Sequence, residues 1–104
     1  MKKKKIKIGS KYPPFIIAEM SANHGGSLNK ALKIIDMAAD SGASAVKIQT
    51  YTADEMTINS TKGGFYIKDK KNIWKGQKLY DLYKGASTPR KWHKEFFERA
   101  KKKN

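Results

Sequence analysis

The stretch that decides the fold is residues 15–50, FIIAEMSANHGGSLNKALKIIDMAADSGASAVKIQT. It opens with an apolar run broken only by Glu19, and such a run is typical of a strand covered on both faces in a parallel α/β sheet. Residues 28–41 repeat apolar side chains at helical spacing, and residues 45–50 form a second strand-like run. We therefore predict a strand, a helix and a second, parallel strand joined as a βαβ unit.

The limits of the central helix are marked by residues that suit helix ends. Ser27 is the predicted N-cap, because its hydroxyl can accept a hydrogen bond from the first turn. Gly42 is predicted to follow the helix in the left-handed conformation, which glycine adopts without a steric penalty. The residues predicted to form one buried stripe are Leu28, Ala31, Leu32, Ile35, Ala38 and Ala39.

The second strand carries polar residues on one of its two faces. Lys47 and Gln49 are two residues apart and share a face, whereas Val46 and Ile48 share the other. If the helix covers Val46 and Ile48, the two polar side chains point away from it. An open doubly wound sheet would bury that face under further helices, but a TIM-type (β/α)8 barrel places polar residues there, at the carboxyl ends of its strands. The pattern therefore favours a barrel.

A candidate site follows from this arrangement. Its predicted members are Glu19, Asn23, His24, Lys47 and Gln49. A lysine suits an anionic substrate, and a carboxylate opposite it suits proton transfer or the orientation of a water. The alternative for Glu19 is a strand-end acid that simply reaches solvent. The pattern alone indicates an anion-handling site without giving the reaction.

The composition limits the possible classes of function. The 104 residues suffice for one small domain, and the absence of cysteine excludes a disulfide scaffold or a thiolate metal site. A net charge of +14 allows a nucleic-acid binder. However, all basic residues except Arg90 and Arg99 are lysines, and bidentate recognition of bases and phosphates favours arginine. We interpret the charge as a solvated lysine-rich surface, including the run at residues 2–5, and expect no nucleic-acid partner.

The lack of a long apolar run and the small number of possible metal ligands predict where the chain resides and whether it binds a metal by itself. No apolar run approaches the roughly 20 residues of a membrane span, so we expect a cytoplasmic chain without membrane contact. The two histidines, His24 and His93, are far apart in the sequence, and we interpret His93 as a helix-face residue. A metal site would need ligands from outside this chain.

The flanking segments are predicted more coarsely. Residues 5–8 alternate as a short strand that would form a hairpin leading into residue 15, and residues 51–73 form a long polar connection. A short helix is predicted over residues 74–83 and stops at Gly85. The last helix is predicted to start with Thr88 as N-cap and Pro89 at its first position. Its predicted features are a buried row of Trp92, Phe96 and Ala100 and an ion pair between Glu95 and Arg99.

Two segments together resemble a known family. Residues 15–57 contain IAE, NH, G, GA and K-Q-T in the order found in the sialic acid (nonulosonate) synthase family, and residues 74–101, WKGQKLYDLYKGASTPRKWHKEFFERAK, are most similar to its pseudaminic acid synthase branch. The resemblance implies that residues 1–104 are the N-terminal fragment of a (β/α)8 barrel domain, without the family's C-terminal antifreeze-like domain. The N-acetylneuraminate and legionaminate branches are the alternatives.

The resemblance also implies a reaction. Carbon 3 of phosphoenolpyruvate attacks the aldehyde of a diacetamido-trideoxy amino sugar, water adds at carbon 2, phosphate leaves, and pseudaminic acid results. Glu19 matches the family's catalytic glutamate, Lys47 its phosphoenolpyruvate-binding lysine and Gln49 a sugar-contacting glutamine, while Asn23 and His24 match its first loop. A manganese-like divalent metal is expected, with ligands outside this chain. The family enzymes are expected to be homodimers, and this chain is expected to be inactive without the missing part of the barrel.

Overall fold

The computed structural model describes residues 6–103 of the chain. The strands and longer helices are β1 (Ile17–Glu19), α1 (Leu28–Asp40), β2 (Ala45–Lys47), α2 (Ala53–Met56), α3 (Leu79–Ala86) and α4 (His93–Lys102). Short 3-10 turns occupy Gly63–Phe65 and Arg90–Trp92.

The two strands form a parallel pair joined by α1, which confirms the predicted βαβ order. In their register Ile17 lies opposite Ala45, Ala18 opposite Val46, and Glu19 opposite Lys47. The two residues of each pair are therefore 28 positions apart in the sequence, and the side chains of one such pair, Glu19 and Lys47, are hydrogen-bonded to each other. The ladder extends beyond β1, because the Met20 N–H donates to the Lys47 carbonyl at 3.0 Å.

Helix α1 ends where the sequence predicts. The Ser27 hydroxyl accepts a hydrogen bond from the Lys30 N–H, and Gly42 follows the helix with a φ of 84°. Of the predicted stripe, Ala31, Ile35 and Ala38 are buried, and the other members are half-buried. The helical period thus identified the buried face correctly.

The core lies between α1, β2 and the start of α4. Its buried members are Met20, Ala31, Ile35, Trp92 and Phe96, with Val46 and Ile48 packed against them. This placement confirms that Val46 and Ile48 face the helices. Trp92 and Phe96 meet edge to face with ring centroids 6.1 Å apart, but the third residue of the predicted row, Ala100, is exposed at the rim of a groove.

Ion pairs join the C-terminal end of α4, including the following Lys103, to α1. Arg99 Nη1 donates to Asp36 Oδ2 at 2.8 Å, and Lys103 Nζ donates to Asp40 Oδ1 at 2.9 Å. The predicted pairing of Arg99 with Glu95 is therefore wrong. Asp36 is only 25% exposed and accepts from a neighbouring helix, whereas a pair within one helix surface contributes only a few tenths of a kcal/mol.

The predicted N-terminal hairpin is absent from the part of the chain that the structure describes. Residues 6–8 are not a strand, and Ile6 and Ile8 are 64% and 73% exposed. A turn follows, closed by the Tyr12 N–H to the Gly9 carbonyl. Short alternating segments need burial or a partner strand to pair, and residues 6–8 gain neither. Residue 5 of the predicted strand and the basic run at residues 2–5 lie outside the described residues.

The segment from residue 51 to α4 is more structured than predicted. A capping box between Thr52 and Glu55 starts α2, and an isolated antiparallel bridge joins Tyr66 to Lys78. The predicted helix over 74–83 begins only at Leu79, and it continues to Ala86 rather than stopping at Gly85. The predicted caps of the last helix are also wrong, because Pro89 precedes the Arg90–Trp92 turn and the Thr88 side chain bonds elsewhere.

We expect Gly42→Ala to destabilise the fold by about 1 kcal/mol, because alanine at a φ of 84° is strained. A Cβ would meet no atom within 4 Å at Gly42 or at Gly85, so neither change causes a clash. Gly85 has no positive φ and lies within α3, and Gly85→Ala should stabilise by about 0.5–1 kcal/mol. Urea denaturation of both variants measures the difference, and equal changes at the two sites would contradict it.

Candidate active site

The polar face of the strand pair is open to solvent. Glu19 and Lys47 lie opposite each other in the register, and Lys47 Nζ donates to Glu19 Oε1 at 2.5 Å. Their side chains remain 57% and 50% exposed. The structure therefore brings together the two residues predicted to be catalytic and leaves both accessible to a ligand.

An exposed ion pair of this kind contributes little to folding. Such pairs are typically worth 0 to about 1 kcal/mol, because water screens the charges and two long side chains are immobilised. A lysine held there nevertheless presents a positive charge at the carboxyl end of β2, with a carboxylate beside it. This arrangement can attract an anion to Lys47 while Glu19 remains available as a proton acceptor.

Gln49 extends the polar face past the end of β2. Its side chain lies opposite Ser21, whose Oγ donates to Gln49 Oε1 at 3.4 Å. Its backbone carbonyl accepts from the Thr88 N–H at 2.8 Å, which fixes the chain where it leaves the strand. The amide is therefore placed on the same face as Glu19 and Lys47, as predicted from the strand period.

Asn23 and His24 occupy the loop after β1, but their side chains are engaged within the protein. Asn23 Nδ2 donates to the Met20 carbonyl at 3.0 Å and helps to close the turn. His24 is fully buried, and its ring meets Trp92 edge to face with centroids 5.3 Å apart. The structure thus does not bring His24 to the exposed face of the strands.

The hydrogen bonds of His24 define its protonation state. The Gly26 N–H donates to Nδ1 at 3.0 Å, so Nδ1 carries no proton, and Nε2 then donates to Thr88 Oγ1 at 3.2 Å. Burial lowers the pKa of His24 below its ordinary value of 6.5, because the charged form loses its hydration. These contacts make His24 a link between the first loop and the segment before α4. Its predicted substrate contact stays a prediction.

Several hydrogen bonds at the end of β2, most of them around Thr88, were not predicted from the sequence. Its carbonyl accepts from Thr50 Oγ1 at 2.8 Å, and the same hydroxyl lies 2.7 Å from His93 Nε2. Because the Thr50 hydroxyl has one proton to donate, His93 Nε2 must be the donor in the second contact. Ser87 Oγ similarly bonds the backbone of Tyr51. The Thr-Pro pair in the sequence predicts only a helix start, and no other signal in the sequence indicates these contacts.

The described residues do not assemble a metal site. Within residues 6–103, no group of three or more His, Cys, Asp or Glu side chains is placed to hold a metal ion. The manganese-like ion implied by the resemblance is expected to have its ligands outside this chain, so it stays a prediction, and we assign it no step. Over the same residues, no helix is long and apolar enough to cross a membrane.

A family model decides the wider assignment. The model of the NeuB family matches residues 34–104, which is more than half of the chain. The chain belongs to the NeuB family. This assignment confirms the resemblance to the sialic acid synthases.

Two curated relatives of this NeuB-family chain are pseudaminic acid synthases. The one from Campylobacter jejuni subsp. jejuni serotype O:2 is 56% identical over 86 residues, which cover 83% of this chain and 24% of the relative. The one from Helicobacter pylori is 48% identical over 90 residues, covering 86% of this chain and 26% of the relative. The chain therefore spans about a quarter of the length of the curated relatives it matches.

A solved structure supports the same assignment for the fold. The crystal structure of N-acetylneuraminic acid (sialic acid) synthetase from Leptospira borgpetersenii serovar Hardjo-bovis, in complex with citrate, matches with a TM-score of 0.67 and 35% identity. The match covers 97% of this chain and 32% of that one. The NeuB-family chain is thus a small α/β unit, with a two-stranded parallel sheet and helices, that resembles part of a larger synthetase.

We expect stability to fall as the pH drops below about 6.5, because His24 is neutral in the fold and its pKa is lowered. The stabilisation is fully present at a pH above the pKa of His24 in the unfolded chain. It is lost as the pH falls toward the lower pKa of His24 in the folded chain, and the free energy of unfolding then changes by at most about 1.4 kcal/mol per pH unit. Urea denaturation between pH 7 and 5 measures this slope. The His24→Gln variant should lack it and His93→Gln should keep it, whereas equal slopes in wild type and His24→Gln would contradict the assignment.

We expect Thr88→Val to destabilise the chain by about 1–3 kcal/mol, because it leaves the buried His24 Nε2–H without an acceptor. The side-chain volume is nearly conserved, so the loss reports the hydrogen bond rather than a cavity. Thr61→Val, at an exposed position, is the matched control and should change stability by less than about 0.5 kcal/mol. Thermal denaturation compares the two, and similar small shifts would exclude a stabilising role for Thr88.

Proposed function

We propose that this chain supplies part of the active site of a synthase that condenses phosphoenolpyruvate with a diacetamido-trideoxy amino sugar, giving pseudaminic acid and phosphate. The observation that carries the proposal is the accessible Glu19–Lys47 pair at the carboxyl ends of two parallel strands. The pseudaminic acid synthase relatives support the choice of reaction.

In the proposed whole protein, β1 and β2 are the first two strands of a TIM-type barrel. The face carrying Glu19, Lys47 and Gln49 would then be the barrel interior at its catalytic end. The opposite face of β2 is already covered, because Val46 and Ile48 pack against the core. This division between a polar face and a helix-covered face is the one that a barrel strand requires.

Lys47 is proposed to bind the anionic groups of phosphoenolpyruvate. An ammonium group is a compact point charge suited to phosphate, and Lys47 Nζ is half-exposed on its strand. Glu19 holds the lysine in position before the substrate arrives. When an anion takes over part of the lysine's charge, the carboxylate is released to accept a proton or to orient the water that adds at carbon 2.

Gln49 is proposed to contact the amino sugar. A carboxamide offers both donors and an acceptor, which match the hydroxyl and acetamido groups of such a substrate. The bond-forming step joins carbon 3 of phosphoenolpyruvate to the aldehyde carbon. The aldehyde oxygen takes up a proton and becomes a hydroxyl. Water then adds at carbon 2 and gives up a proton, and phosphate departs with the bonding electrons of its bond to carbon 2, which leaves a carbonyl there.

A chimera tests the proposal directly. Residues 6–103 replace the matching segment of the Campylobacter jejuni pseudaminic acid synthase, and phosphate release and the sugar product are measured. We expect an active chimera in which Lys47→Ala lowers kcat/KM for phosphoenolpyruvate by about 10- to 150-fold, the value of one charged hydrogen bond. Lys33→Ala, on the exposed face of α1, is the matched control and should leave kcat/KM within about twofold.

The outcomes separate the parts of the proposal. A folded but inactive chimera would contradict the function, and equal kcat/KM in the parent and Lys47→Ala chimeras would remove Lys47 from the site. The isolated chain, assayed in parallel, should release no phosphate, since two strands form only part of a barrel wall. Homodimerisation, a cytoplasmic location and the lack of a nucleic-acid partner stay predictions.

Sialic acid synthesis is the second candidate, favoured by the structural match to the Leptospira synthetase. The two candidates differ in the sugar substrate rather than in the chemistry at phosphoenolpyruvate. Offering the chimera the amino-sugar precursor of N-acetylneuraminic acid and the diacetamido sugar in competition distinguishes them. Preference for the N-acetylneuraminic acid precursor would support the second candidate.

A further inference from the structure

Ser21 continues the strand register onto the polar face. Glu19 and Lys47 are 28 residues apart, and so are Ser21 and Gln49. The ladder bond from the Met20 N–H to the Lys47 carbonyl keeps the two segments aligned beyond β1. Ser21 and Gln49 are therefore the next pair on the face that carries the proposed site.

The backbone of Ser21 is in an unfavourable conformation. Among residues 6–103, Ser21 is the non-glycine residue with a positive φ, 49°. This region costs most side-chain-bearing residues energy that glycine does not pay. Strain of this kind concentrates where a side chain has a function, and here the strained residue places its hydroxyl on Gln49 Oε1.

We propose that Ser21 is a positioning residue that orients the Gln49 carboxamide toward the amino sugar. With Gln49 Oε1 accepting from the serine hydroxyl, the amide NH2 group is turned away from Ser21 and is free to donate. The side chain of Gln49 is exposed, so without this contact it would sample several rotamers. The site would then present a hydrogen-bond donor to an acceptor on the sugar, such as an acetamido carbonyl.

This inference rests on the proposed function, since it takes Gln49 as the sugar contact. It predicts a selective effect, because Ser21 reaches the substrate only through Gln49. Loss of the hydroxyl should weaken sugar binding and leave phosphoenolpyruvate binding, which involves Lys47, unchanged. A residue that merely supported the fold would alter both substrates or the amount of folded enzyme.

The chimera described above provides the test, with Ser21→Gly and Ser21→Ala compared. Both remove the hydroxyl, but only glycine also relieves the positive φ. We expect both to raise KM for the amino sugar by about three- to tenfold, with kcat and KM for phosphoenolpyruvate within about twofold. Ser21→Gly should be the more stable of the two in thermal denaturation. Ser21→Asn, which tolerates a positive φ and keeps a donor, should restore much of the affinity.

Coupling to Gln49 supplies the second readout. In the Gln49→Ala background, Ser21→Gly should change KM for the amino sugar by less than about twofold, because its only route to the substrate is gone. An unchanged sugar KM in Ser21→Gly, or an effect that persists in Gln49→Ala, would overturn the inference while an active parent chimera left the proposed function standing.

The inference can also be tested without catalysis. Nuclear magnetic resonance of the 104-residue chain reports the mobility of the Gln49 side-chain NH2 group. We expect this group to become more mobile in Ser21→Gly than in the parent chain. Equal mobility in the two would overturn the inference even if the chimera were inactive.

Discussion

The parallel register of β1 and β2 is the constraint on which the rest of the structure depends. Helix α1 spans the interval between the strands, with Ser27 at its start and Gly42 after its end, and the loop lengths then place Glu19 opposite Lys47. A slip of one residue would turn Lys47 toward the core and expose Val46, which now packs there. The burial of Val46 and Ile48 therefore also determines that the polar side chains share the outer face.

A second set of contacts holds the segment before α4 against the end of β2. Thr88 uses its N–H, its carbonyl and its hydroxyl to bond Gln49, Thr50 and His24. Because His24 belongs to the loop after β1 and Gln49 follows β2, Thr88 connects the carboxyl ends of both strands. The bond to His24 is buried and the bond to Thr50 is half-buried, so removing either partner leaves a polar group unsatisfied, which costs more than losing an exposed ion pair. The geometry of the polar face thus depends on residues that do not themselves lie on it.

Sequence periodicity predicted the elements whose burial is one-sided. The stripe of α1, the outward Lys47 and the βαβ order all follow from local spacing, and the structure confirms them. Side-chain contacts between residues far apart in the sequence could not be predicted in this way. Arg99 prefers the partly buried Asp36 on another helix to Glu95 on its own, and Thr88 bonds His24 across 64 residues instead of capping a helix. The position of His24 in the loop after β1 predicts a place in the site, but its ring is buried. Such partners depend on which surfaces meet after folding, and the sequence shows no period for them.

The surroundings of the strand pair explain why the polar face is so open. Within the described residues the sheet has two strands, and beside β2 lies a groove of about 210 Å³ lined by apolar residues that include Ile48, Phe96, Phe97 and Ala100. A further helix packed there would bury Phe97, which is now 63% exposed. The polar face lies on the other side of β2, and only further strands that close a barrel would enclose it. Enclosure would reduce the screening of the Glu19–Lys47 pair and strengthen its interaction with any charge brought beside it. The same pair that adds little to folding in water would therefore interact more strongly with a charged ligand inside the proposed barrel, where less water screens it.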